Sequence, residues 1–153
     1  MAAIRTVATF ESSAFNATER RDYFINDCCY GDDVAAWLID ELGARGVETD
    51  AEPGQEDFGW YFGFKKGGID YTFIIGHRPA DAETLPTWIG FVERKRGRLG
   101  ALLRGSERGV DPEAVLAIHS VLNSSLLVRN LKWHFRRDFD AGREELGQAQ
   151  PAG

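Results

Sequence analysis

A chain of 153 residues, 43% hydrophobic and 27% charged, is long enough to bury its own core and too apolar for a disordered or collagen-like chain. Its formal net charge of −6 repels a phosphate backbone and so disfavours nucleic-acid binding. Residues 1–10 carry no leader-type apolar stretch, and no later run approaches the ~18 apolar residues of a membrane span. The two cysteines, Cys28 and Cys29, are adjacent; neighbours pair only in a strained ring, so a reducing, cytoplasmic setting is expected.

In chain order, the loose alternation of Ile4, Val7, Ala8 and Phe10 predicts a first strand. Residues 16–30 fit neither the helical nor the strand period and read as an irregular loop. Gly31-Asp32-Asp33 then opens a helix in which Val34, Trp37, Leu38 and Leu42 share one stripe. Asp32 or Asp33 is expected as the N-cap and Gly46 as the left-handed residue past the end. Residues 51–57, with Pro53-Gly54 and a run of acids, read as a turn. Trp60, Phe62 and Phe64 alternate along the next strand, Lys66-Gly67-Gly68 reverses the chain, and Ile69, Tyr71, Phe73 and Ile75 return on the same face, a β-hairpin. After a loop from His77 to Pro86, a third meander strand runs from Thr87 to Glu93. Asp111-Pro112 starts a second helix, with Val115, Ile118 and Leu122 on its inner stripe. Leu131, Trp133 and Phe135 alternate with Lys132, His134 and Arg136 in a last strand with one buried and one polar face.

The expected fold is therefore α+β: a mostly antiparallel sheet of about five strands, order β-α-β-β-β-α-β, with two main helices on one face. One domain over residues 1–140 and a mobile polar tail over 141–153 complete the reading.

Chemistry is harder to find. Cys28 and Cys29 precede a helix N-terminus, where a thiol pKa can fall, but no histidine is tied to them by spacing, and buried packing is the commoner fate of cysteine. Vicinal cysteines with scattered His77, His119 and His134 lack the spacing of a zinc site, and no metal or other cofactor is expected. The chain has no G-x-x-x-x-G-K-[ST], G-x-G-x-x-G, G-x-S-x-G or H-E-x-x-H signature, so phosphate cradles, nucleophile elbows and zincin helices are without support. The four tryptophans fall on predicted inner faces and read as core.

Two features remain. Charge is segregated: residues 11–57 hold thirteen acids and three bases, whereas residues 94–108 hold six bases against one acid. In the basic run, Arg94, Lys95, Arg96, Arg98 and Arg104 are candidates for binding an acidic partner, against the plainer reading of a solvated loop facing the protein's own acidic half. Second, the hairpin brings Glu56 and Asp57, at the start of one strand, to the same end as His77 and Arg78, at the end of the next, making a polar rim for a small ligand or a reaction; a solvated turn is the plainer alternative. The favoured expectation is a non-catalytic module, of the immunity or inhibitor kind, that binds a partner protein through its segregated charge. The alternative is a small-ligand binder or enzyme with Glu56, Asp57, His77 and Arg78 at its cleft.

Overall fold

The computed structural model describes residues 3–17, 19, 22, 24, 30–56, 59–81, 86–95 and 109–153. Expectations resting on Cys28, Cys29, Asp57, Arg96, Arg98 and Arg104 lie outside the described residues. The elements run β1 (Val7–Glu11), α1 (Asp32–Ala44), β2 (Glu48–Thr49), β3 (Gly54–Glu56), β4 (Gly59–Lys66), β5 (Ile69–Arg78), β6 (Thr87–Arg94), α2 (Pro112–Ser124), β7 (Arg129–His134) and α3 (Arg136–Asp140), with a 3-10 turn over Glu144–Leu146. The fold is α+β. The seven strands among the described residues form one sheet in the order β2-β4-β5-β6-β1-β7, β3 also pairing with β4, and each of these pairings is antiparallel.

The β4–β5 hairpin is the one the sequence predicts. Lys66 faces Ile69 across Gly67 and Gly68, both at positive φ (60° and 78°), the twist that a two-residue hairpin turn requires. Strand alternation then puts Phe62, Phe64, Tyr71, Phe73 and Ile75 on one face, where register adds Trp88 and Val92 from β6, Ala8 and Phe10 from β1 and Trp133 from β7. Val34, Leu38 and Leu42 of α1 and Val115, Ile118 and Leu122 of α2 cover that face and complete a single core cluster. Each large apolar side chain buried there contributes roughly 1.5–3 kcal/mol relative to exposure. One polar pair crosses this core: Trp133 Nε1 donates to His119 Nδ1 at 3.0 Å.

Helix ends follow local chemistry. The Asp111 carboxylate accepts from Glu113 N with Pro112 in the first turn, and Gly46 closes α1 at φ 82°. The expected N-cap of α1 is corrected: Gly31 holds that position at φ 135°, without a side-chain cap. Asp32 is instead buried in the first turn, and Asp33 accepts from Val34 N and Asn16 N.

Further corrections concern the sheet margins. The first strand begins at Val7, Ile4 forming only an isolated bridge to Ala152. Residues read as a turn include β3, which with β2 forms a two-piece edge against β4. His77 and Arg78, read both as the start of a loop and as the end of the second meander strand, are the end of β5, opposite Trp88 and Thr87. The last strand ends at His134, and α3 follows it.

The reverse face of β7 is not polar and open. Phe139 of α3 packs on Phe91 and His134, and Arg136 lies over the Phe91 ring while its Nη1 donates to the buried Glu93 at 2.9 Å. Residues 141–153, expected as a mobile tail, are bonded down: Gln148 and Trp133 exchange both backbone hydrogen bonds, Arg5 N donates to Pro151 O, and Gly153 N donates to Ala3 O.

Gly90 exists because Phe73 occupies its side-chain space: a Cβ there would fall 2.2 Å from Phe73 Cζ. Gly90→Ala is expected to destabilise the fold by about 1–3 kcal/mol through overpacking, read as a lowered urea midpoint at constant slope. Arg136→Met should cost more than the double change Arg136→Met/Glu93→Gln, because the single change strands a buried carboxylate; chemical unfolding of the two variants measures the difference.

Candidate functional site

The four residues expected to rim one cleft are divided by the strands that carry them. His77 and Arg78 are consecutive on β5 and so face opposite ways. His77 turns to the helix side, 4.5 Å from the Trp88 ring and 6.4 Å from that of Tyr30; its Nε2 is enclosed without a partner, and burial pushes its pKa down. Arg78 turns to the reverse face. Glu56 lies on β3 opposite Gly59, near enough to Tyr61 to help burial raise the Tyr61 pKa.

Arg78 has a different set of neighbours. It lines a cleft of about 110 Å³ with Thr9, Phe10, Glu11, Thr87, Asn130, Lys132, His134 and Glu144. Strand pairing builds this site: Thr9 and Glu11 come from β1, Asn130, Lys132 and His134 from the adjoining β7, Arg78 and Thr87 from paired ends of β5 and β6, and Glu144 from the 3-10 turn lying across them. Asn130, at φ 55°, marks the point where the β1–β7 register shifts, and its Nδ2 donates to Glu11 at 3.0 Å.

Two polar pairs organise the cleft. Arg78 grips the Glu144 carboxylate with both Nη atoms, at 2.8 and 3.0 Å, and these bonds hold the Glu144 pKa below its ordinary value. Thr9 Oγ1 and His134 Nε2 share a buried hydrogen bond of 2.8 Å. His134 is only 2% exposed, and burial lowers its pKa. The segment over residues 141–153, a strap across this face, passes so close that a Cβ on Gly147 would fall 2.7 Å from His134 Nδ1, an atom enclosed without a hydrogen-bond partner among the described residues.

The acidic segment lies along one edge of the sheet. Residues 32–56 hold eight acids and one base; Asp40, Glu48, Asp50 and Glu52 are exposed on α1 and the β2–β3 edge. Asp50 Oδ2 accepts from Gly63 N at 2.7 Å, fixing the turn between the two edge strands. Arg94 and Lys95 begin the basic run, and Lys95 joins Glu48, Asp50, Lys65 and Asp70 around a second cleft of about 130 Å³. The described start of the basic run thus adjoins the acidic edge. Among the described residues no group of three or more His, Cys, Asp or Glu is placed to hold a metal ion, and no helix is long and apolar enough to cross a membrane.

The Arg78 cleft depends on residues the sequence analysis did not connect. Thr9, Lys132 and Glu144 lie far apart in the chain, and their one shared signal, the alternation that sends Thr9, Lys132 and His134 to the face opposite Phe10 and Trp133, becomes informative only once β1 is known to sit beside β7.

Burial lowers the pKa values of His77, His119 and His134 below 6.5. The unfolded chain therefore binds more protons than the native one as pH falls below 6.5, and native stability declines in that window. Glu144 extends the decline below 4.5, as the carboxylate loses its charge and its hold on Arg78. Urea midpoints measured from about pH 7 to about pH 5 should fall, and His134→Gln should flatten part of that slope.

Comparisons with protein-family models, with curated proteins and with solved structures found no match.

Proposed function

We propose that this protein is a non-catalytic interaction module that presents the α1–β2–β3 edge to a basic surface on a partner protein. The observation that carries this reading is the exposure of Asp40, Glu48 and Glu52 with no ion pair to any of them among the described residues. Arg45, the one base of residues 32–56, is engaged by Glu41 and by Ser124 of α2. A group of like charges left unpaired raises the field outside the molecule, speeds encounter with a surface of opposite sign and excludes partners of the same sign. The two-piece edge supports side-chain recognition over strand addition, since a short, acidic and interrupted edge is a poor template for a further strand.

Small-ligand binding is a second reading, favoured by the polar cleft that Arg78 lines. It retains Arg78 from the predicted rim and replaces Glu56 and His77 with Glu144, His134 and Thr9.

The test of the first reading is a triple reversal, Asp40→Lys/Glu48→Lys/Glu52→Lys, compared with the unaltered chain for partner capture at low salt and at ~1 M salt, where screening acts within ~3 Å. Capture should fall at least tenfold in the variant and at high salt, with the unfolding midpoint of the variant showing that it folds. A partner held equally by both chains at both salts would remove the acidic edge from the argument.

A further inference from the structure

We infer that the Arg78 cleft is a binding site for a small carboxylate, and that Glu144 occupies it as an internal stand-in. This deepens the small-ligand reading and rests on it alone; loss of the acidic-edge reading leaves it intact.

Recognition chemistry comes first. A guanidinium fork matched to two oxygens of one carboxylate is the geometry by which arginine binds carboxylate ligands. Arg78 already makes that contact through both Nη atoms. Its Nε is enclosed without an acceptor, so the fork holds a donor that Glu144 does not use. Lys132 lines the same cleft and makes no ion pair among the described residues, a second cation available to the same anion. Thr9, Thr87, Asn130 and His134 add polar groups to the wall, the Glu11 carboxylate in the same lining is bonded by Asn130, and a volume of about 110 Å³ admits a ligand of a few heavy atoms.

Glu144 is also easily exchanged. The pair is half exposed, 40% for Arg78 and 36% for Glu144, and ion pairs of that exposure contribute only about 0–1 kcal/mol. Glu144 sits on a single 3-10 turn whose flanks are tied independently. Arg143 N donates to Asp138 O on one side, and Gln148 pairs with Trp133 on the other. The turn can release the carboxylate while the strap stays in place, so the ligand competes with one side chain and not with the fold.

Sodium acetate, with sodium chloride at matched ionic strength as control, is the probe. The readouts are the ¹⁵N–¹H resonance of Arg78 Nε and the unfolding temperature, in the unaltered chain, in Glu144→Gln and in Glu144→Gln/Arg78→Met. Acetate should move the Arg78 Nε resonance in both Arg78-containing proteins and bind Glu144→Gln up to about fivefold more tightly than the unaltered chain, because the internal competitor is gone. It should raise the unfolding temperature of Glu144→Gln, and the double variant should lose the response. Equal effects of acetate and chloride, equal affinity with and without Glu144, or a response that survives in the double variant would each overturn the assignment. If the double variant does not fold, the comparison of the unaltered chain with Glu144→Gln decides alone.

Discussion

Val7 to Phe10 must satisfy backbone donors and acceptors on both sides at once, from β6 on one flank and β7 on the other, and an unpaired buried peptide group is costly to fold around. The rest of the molecule depends on this placement of β1. It brings Trp133 to the helix face, where its indole N–H reaches His119, and it brings His134 to the reverse face, where Thr9 receives it. It also leaves a second sheet face with Val7 and Ile74 on it, which α3 and the strap over residues 141–153 help to cover. The sheet therefore has helices on one face and a thinner lining on the other, and the polar cleft lies where that lining meets the strand ends.

Period and punctuation made much of this visible in the sequence. Lys66-Gly67-Gly68 between two alternating aromatic runs, and Asp111-Pro112 before a helical stripe, are local signals read out by local physics, and the structure places a hairpin and a capped helix there. Elements that depend on neighbours far along the chain were not visible. Gly54 to Glu56 resembles a turn by composition and becomes a strand because β4 offers an open edge. The 141–153 segment resembles a solvated tail and is held by backbone bonds to Trp133 and Arg5 that need no apolar side chain. His134 looks like the outward member of an alternating strand and is buried because α3 folds back over it.

The predicted rim failed in part for a reason already present in the sequence. Antiparallel pairing brings the ends of adjacent strands together, but consecutive residues on one strand point to opposite faces, so His77 and Arg78 share no site. Arg78 was a sound choice by residue type. Its partner, Glu144, sits 66 positions away, beyond anything that spacing alone relates. The acidic bias of residues 32–56, by contrast, survives folding largely as a surface property: Asp32 is buried, but Asp40, Glu48, Asp50 and Glu52 stay exposed to water.

The placement of β1 also has a temporal side. A ribosome releases Val7 some eighty residues before Phe91 and well over a hundred before His134, its two register partners. The meander β4–β5–β6 can close locally as it emerges, yet its β6 margin stays bare until the earliest strand returns to it, and β1 keeps an open flank until nearly the whole chain is out. Completion of the sheet thus waits on distant pairings, which slow folding, and the nascent chain spends that interval with apolar strands exposed to neighbours on the same message.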